Sequence, residues 1–458
     1  MSALHTLSAT TLVTMMKKGD VSVSEVTDAF LARIAAHNTA LNAFTYVSTL
    51  RSRRRASALD SVLVKARKTG DLPTSPIFGL PVGIKDLYLV QLMPFRGGSR
   101  ALGRMVAPID SPNVKRLRAA GVVVTGKLAT AEFGAMPFTE PETHGPTVNP
   151  WDTTTTAGGS SGGTASALAA GLVPLGHGSD GGGSIRIPAA MCALFGFKAG
   201  RGALHHGSPP EKLKLSTEGP LARTVDDAVA MLQVLATDAR FQQRATVKRG
   251  LRVRLSLRTT EETRAPLHPT MERAARQIAA MLEDMGHFID DAKAVPRALE
   301  DFVPLWQRTL AWVPLPKATA SRAQPITRWL REAGKDIDEA SAFERLARIM
   351  GAVDEWWGDA DLVVSPTVSC LPPKVGSWKH DDPETSFIRG AVPMAVYTAI
   401  FNASGQPAIS IPVKVEGAPQ PVGVQVVAKR GDDALLIAVA RALEEALGGF
   451  NHRPPGFS

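Results

Sequence analysis

Apolar and polar positions follow two rhythms along this chain. Between residues 5 and 36 apolar side chains recur three or four apart, as in Val23, Val26, Phe30 and Ile34, the spacing that lines one face of a helix. Ser8 can cap the first helix and Gly19 can end it. A third helix is expected over residues 51–68, stopped at Gly70. From Leu80 the rhythm changes to short apolar runs separated by Gly and Pro, at 80–89, 122–126, 172–176 and 194–198, which read as buried strands. Helical patterns at 113–120, 164–170 and 224–236 alternate with them, so the class is α/β. Further on, the patterns predict a basic strand at 251–257, a helix at 269–285 and a short run at 288–289. The stretch 296–360 reads as helical. Strands at 362–365, 408–413 and 422–427 and a closing helix at 433–447 complete the chain. No repeat, heptad seam or separating linker interrupts it.

Composition narrows the class. With 458 residues, 44% hydrophobic and 21% charged, the chain is globular and neither disordered nor fibrous. Lys plus Arg 52 against Asp plus Glu 43 leaves 52 − 43 = +9, but the charges are dispersed. The one tight run, Arg51 with Arg53, Arg54 and Arg55, reads as a solvated helix face, so no nucleic-acid partner is expected. Cys192 and Cys370 are the only cysteines, which indicates neither a disulfide framework nor a thiolate zinc site. Lys17 and Lys18 follow the N-terminal apolar stretch instead of preceding it, unlike a secretory leader. No apolar run reaches the ~20 residues of a membrane span. The expectation is a cytoplasmic protein with no membrane partner.

The chemistry concentrates in Gly158-Gly159-Ser160-Ser161-Gly162-Gly163 and in Ser179-Asp180-Gly181-Gly182-Gly183-Ser184-Ile185-Arg186-Ile187-Pro188. A flexible linker is disfavoured, because a helix-forming run follows the first cluster and apolar strands flank the second. Gly176, Gly178 and Gly181 satisfy a dinucleotide fingerprint literally, yet Pro188 interrupts and no acidic residue lies between Gly182 and Pro210. The Gly-Lys-Ser/Thr of a phosphate loop is absent. A serine nucleophile, in contrast, needs backbone amides aimed at a developing oxyanion, and Gly181-Gly182-Gly183-Ser184 can turn several toward one point. Asp180 and Arg186 flank that turn and can hold it as a buried pair. The base is less evident. His144, His177, His205 and His206 sit in no triad pattern. Lys85 ends the apolar strand that begins at Leu80 and serves if burial lowers its pKa from about 10.4 toward 7 or 8; alternatively Lys85 and Asp86 form an ordinary ion pair.

At this point the chain resembles the amidase signature family over nearly its whole length. Gly79 through Asp86 resembles the family's lysine strand, and Gly158–Gly163 and Asp180–Pro188 its two serine segments. The intervals agree: 160 − 85 = 75 and 184 − 160 = 24 positions. Asn149-Pro150-Trp151-Asp152, the run from Gly219 to Val225, Phe401-Asn402 with Gly405 and Pro407, and Pro421 to Gln425 also match. The resemblance implies one domain over 1–458 with a central mixed twisted sheet covered by helices on both faces. Residues 1–70 would form N-terminal helices, 71–240 the catalytic core and 296–390 a helical pocket region. It further implies Ser184 as nucleophile, Ser160 after a cis peptide as bridging serine, and Lys85 as base. The amides of Gly181, Gly182, Gly183 and Ser184 would hold the oxyanion. Two departures stand out: Gly181 where the family often has Thr, which frees the oxyanion loop, and Lys198-Ala199-Gly200 where it has Lys-Pro-Thr.

The resemblance also bounds the substrate. The family includes amide and carbamate hydrolases and the glutaminase subunit of an amidotransferase. Five of the seven tryptophans (Trp306, Trp312, Trp329, Trp356 and Trp357) fall in 296–360, and the stretch 133–144 is bulky and apolar. Gly134, Ala135, Met136, Phe138, His144, Trp306 and Trp312 are therefore the expected pocket residues. The expected substrate is an apolar or aromatic amide, anilide or carbamate, cleaved by a monomer or homodimer without cofactor or metal. The alternatives are an amidotransferase subunit and a catalytically idle scaffold.

Overall fold

Eleven strands join in one sheet. The computed structural model describes residues 4–205, 213–242, 245–260, 264–294 and 298–457; His206 lies outside these. In chain order the strands are β1 (Phe44–Val47), β2 (Pro81–Lys85), β3 (Val123–Leu128), β4 (Val148–Asn149), β5 (Asp152–Thr156), β6 (Leu175–Asp180) and β7 (Phe195–Lys198). Then follow β8 (Thr217–Ala222), β9 (Arg252–Leu255), β10 (Phe288–Asp291), β11 (Leu362–Pro366), β12 (Ala408–Val413) and β13 (Val422–Ala428). β4 and β5 form a separate ribbon, and the large sheet runs β1-β3-β2-β6-β8-β7-β12-β13-β11-β9-β10. It is mixed: β3, β2 and β6 are parallel, as are β11, β9 and β10, while the strands between them pair antiparallel.

Every position of β2, β3, β6, β7, β11, β12 and β13 is buried, which requires cover on both faces. Helices Gly162–Ala169, Arg186–Met191, Val225–Leu235, Pro269–Asp284 and Asp433–Ala446 pack on the strands. Both edges of the sheet are partly open, at β1 and at β9–β10.

The N-terminal helices form where capping chemistry places them. Ser8 accepts from the Thr11 amide ahead of Ala9–Lys18, and Gly19 ends that helix at φ 93°. Ser22 and Glu25 cap Val23–Leu41 reciprocally. Thr49–Thr69 stops at Gly70, φ 81°. Its Arg51, Arg53, Arg54 and Arg55 are exposed, and Arg53 pairs with Asp28 at 2.7 Å.

Three differences from the sequence reading have physical causes. β1 is only four residues long and mostly half-buried, too short for an alternation signal. β8 contains Gly219 and Pro220, which look like a turn. Pro220 nevertheless lies in the ladder opposite His177 of β6, while β7 pairs with β8 only at Leu221 and Ala222. The strand expected at 172–176 instead runs Leu175–Asp180, because Gly176 through Ser179 are buried between β2 and β8. No described helix is long and apolar enough to cross a membrane.

Ser22→Ala removes one half of the capping box on a surface helix. It should lower stability by about 1 kcal/mol, read as a lower denaturant midpoint at unchanged slope; an unchanged midpoint would show that the cap contributes nothing.

Candidate active site

β2 and β6 are parallel neighbours, with Val82 opposite Leu175 and Gly83 opposite Gly176, so both end at the same edge. Lys85 closes β2 there and is fully buried. Its Nζ donates to Ser160 Oγ at 2.8 Å, to Ser179 Oγ at 3.0 Å and to the Ser179 carbonyl at 3.3 Å. Asp86 is not its partner: that carboxylate pairs with buried Lys127 at 2.7 Å. The successive side chains of an extended strand point to opposite faces, which separates Lys85 from Asp86. Burial pushes the Lys85 ammonium down to about 7, against the upward pull of Asp180 and Glu218.

Ser160 follows a cis peptide, Gly159–Ser160. Its carbonyl accepts from the Ala131 amide and from Thr139 Oγ1, both at 3.3 Å. Gly134 adopts φ +74° beside it, where a Cβ would stand 3.3 Å from Ser160 Oγ. A side chain at 134 would therefore be strained and would crowd the hydroxyl. The next residue ties the two serine segments together, the Ser161 amide donating to the Ser184 carbonyl at 3.3 Å.

The loop from Asp180 to Arg186 is wound around one carboxylate. Asp180 accepts from the Gly183 amide at 2.7 Å, the Ile185 amide at 3.2 Å and the Arg186 amide at 3.3 Å. The Arg186 guanidinium meets it with two bonds of 2.9 Å. Burial alone would raise the Asp180 carboxyl, but Arg186 holds it well below the usual carboxylate range. Arg186 also donates to Gln425 Oε1 and Asn402 Oδ1, each at 2.6 Å, and Asn402 Nδ2 returns to Asp180 at 2.9 Å. Asn402 and Gln425 belong to motifs whose roles were not legible in the sequence.

At Gly183, φ +127°, a Cβ would collide with Ile187 and with Thr398, whose hydroxyl donates to the Gly182 carbonyl at 2.7 Å. One expectation is corrected here. The Gly183 N–H is committed to Asp180 and cannot serve an oxyanion, which leaves the amides of Gly181, Gly182 and Ser184 as candidates. At Gly181 a Cβ would collide with Ser216 and lie 3.0 Å from Trp306, so these neighbours occupy the space a side chain would take.

Ser184 opens into a cavity of about 40 Å³ bounded by three segments. Gly134, Ala135 and Met136 form the first. Phe302 and Trp306, stacked at 6.1 Å on helix Ala298–Ala311, form the second, and Trp306 Nε1 donates to the Ala135 carbonyl at 3.0 Å. Phe387, Ala391 and Ala395 on helix Pro383–Ala395 form the third. Phe302 and the 387–391–395 stripe were missed, although their four-residue spacing marks one helix face.

Three expected pocket residues lie elsewhere. Phe138 stacks on Trp378 at 5.5 Å, behind the wall. His144 sits in a turn held by Asn42, which donates to its carbonyl at 2.6 Å, and burial lowers its imidazole to about 4. Trp312 lies under Arg308, 4.6 Å from ring to guanidinium. His177 does not serve the serines as a base either: its Nε2 faces Glu218 at 2.9 Å.

Comparison with known proteins identifies the family. The amidase family model matches residues 25–437. The chain belongs to the amidase signature family. It is 33% identical to a 6-aminohexanoate-cyclic-dimer hydrolase of Pseudomonas sp. (strain NK87), over 97% of this chain and 96% of that protein. A solved 6-aminohexanoate cyclic dimer hydrolase superposes with a TM-score of 0.86 at 29% identity, covering 98% of this chain and 99% of that one. A bacterial aryl acylamidase superposes at 0.84 with 25% identity, covering 99% of each chain. This amidase signature protein is accordingly a hydrolase acting on amides.

Arg186→Met leaves the Asp180 carboxylate buried without its cation, and should cost about 3–5 kcal/mol. In the native chain the depressed Asp180 carboxyl contributes stability that is complete above the unfolded value of about 3.9 and is lost as pH falls below it. Denaturant titrations from pH 7 to pH 3 should therefore show a shallower acid loss in Arg186→Met than in wild type; parallel curves would contradict this.

Proposed function

We propose that this enzyme cleaves an apolar or aromatic amide, anilide or carbamate through an acyl-enzyme on Ser184. The observation that carries the reading is the buried Lys85 Nζ, 2.8 Å from Ser160 Oγ and lowered to about 7. A neutral amine in that position takes a proton from Ser160, which takes one from Ser184 as its Oγ attacks the carbonyl carbon. The loop amides stabilise the resulting oxyanion. Ser160 then passes a proton to the departing nitrogen as the C–N bond breaks, and Lys85 reprotonates Ser160. Protonation matters because an amide nitrogen is a poor leaving group as an anion. Water, activated by the same relay, finally releases the acid from Ser184.

The walls of the cavity support the substrate class. Met136, Ile187, Phe302, Trp306 and Phe387 are apolar, and among the described residues none lining it is charged. Such a pocket favours an uncharged group and provides no partner for the charged ends of glutamine, which weighs against a glutaminase role. Names among the relatives, a cyclic-dimer hydrolase and an aryl acylamidase, support amide cleavage without selecting one substrate.

The purified chain should hydrolyse p-nitroacetanilide or a p-nitrophenyl carbamate by itself. Turnover appearing only with added partners, and only on glutamine, would reverse the reading. Ser184→Ala should abolish both turnover and fluorophosphonate labelling; undiminished labelling would move the nucleophile elsewhere. In wild type, kcat/KM should rise with pH through an acid limb centred near 7, because the base acts when deprotonated. Lys85→Ala should lose several orders of magnitude together with that limb.

A further inference from the structure

One strand beyond β6 lies a buried ionisable pair that the relay does not use. Glu218 on β8 stands opposite Ser179 on β6 in the antiparallel register. Its carboxylate accepts from Asn113 Nδ2 at 2.9 Å and lies 2.9 Å from His177 Nε2. His177 is fully buried, and among the described residues its Nδ1 has no hydrogen-bond partner. With Nε2–H directed at the carboxylate, Nδ1 presents only a lone pair; a second ring proton would be a buried donor without an acceptor. The imidazole meets the Tyr88 ring edge-on at 5.1 Å, and the Tyr88 hydroxyl interacts with the Ser179 side chain. Ser179 Oγ in turn accepts from Lys85 Nζ at 3.0 Å.

Few charged or titratable groups face Lys85. Its own strand leads to Asp86, which turns away to Lys127. β6 supplies Asp180, answered by Arg186 at 2.9 Å and acted on by Lys198 of β7. The loop after β2 supplies Tyr88, whose phenol burial holds well above its ordinary range. The segment containing Ser160 supplies hydroxyls only. β8 supplies Glu218, whose partners are an amide and an imidazole instead of a guanidinium.

We propose that Glu218 is a positioning residue for amide hydrolysis: held by His177 and Asn113 across the sheet from Ser179, its carboxylate keeps negative potential on the buried amine so that Lys85 draws a proton from Ser160. Without that potential the amine is neutral but weakly basic, and a weak base takes up the serine proton poorly. The inference rests on Lys85 acting as base.

The test is the pH dependence of kcat/KM for p-nitroacetanilide with the purified full chain. Removing an anion destabilises the protonated amine, so in Glu218→Gln the acid limb should move to lower pH by about half a unit to one unit, with a plateau lowered about tenfold. His177→Gln, which keeps the carboxylate and supplies an amide donor, should retain the wild-type midpoint. A lowered plateau with an unmoved acid limb in Glu218→Gln would reduce Glu218 to structural support and overturn the proposal. Should that variant fail to fold, Glu218→Ala, which also removes the anion, decides by the same criterion: a midpoint displaced downward supports the proposal and an unmoved one overturns it. Lys85→Ala separates the two readings. If it keeps the wild-type acid limb, Lys85 is not the base; if it is inactive while the limb of Glu218→Gln stays in place, only the present inference falls.

Discussion

The site is organised around the buried Asp180 carboxylate. One side chain gathers the amides of Gly183, Ile185 and Arg186, meets the Arg186 guanidinium, and is held from across the fold by Asn402. A carboxylate in so dry a place is costly unless each lone pair is engaged, and here the engagement is what bends the chain into the nucleophile loop. The same charge raises the proton affinity of Lys85, whose burial works the other way. Loop shape and base strength are coupled through one anion.

The sheet supplies the frame for that coupling. Parallel β2 and β6 deliver Lys85 and Ser179 to a common edge, and the helix Arg186–Met191 packs on β12 and β13 behind the loop. Gln425 on β13 and Asn402 on helix Ile400–Ser404 then bind Arg186. Residues more than two hundred positions away in sequence thus set the orientation of the guanidinium that holds Asp180. The pocket is assembled in the same manner, from the 134–136 segment and two helices that meet only in the folded chain.

Some of this was legible in the linear pattern because its cause is local. Ser8, Gly19, Ser22 and Gly70 act on their own helix ends, and β12, β13 and helix Asp433–Ala446 carry apolar patterns long enough to read. Lys85 at the end of an apolar run and the glycine-rich serine segments were equally visible. β1 and β8 were not, since the first is short and the second contains Gly219 and Pro220 in a ladder that its neighbours complete. Phe138, His144 and Trp312 have the chemistry of pocket residues, yet Trp378, Asn42 and Arg308 engage them elsewhere.

The sequence by itself determined the α/β class, the ends of the N-terminal helices and the residue types at the reacting centre, because capping, periodicity and motif spacing act over a few positions. Only the tertiary structure decided that Asp86 answers Lys127 and leaves Lys85 to the serines, that the Gly183 amide belongs to Asp180, and that Phe302 and Phe387 face Ser184. Those choices depend on which groups share a dry volume. That is settled by strand order and packing across the whole chain, where burial and the nearest opposite charge fix each proton and each hydrogen bond.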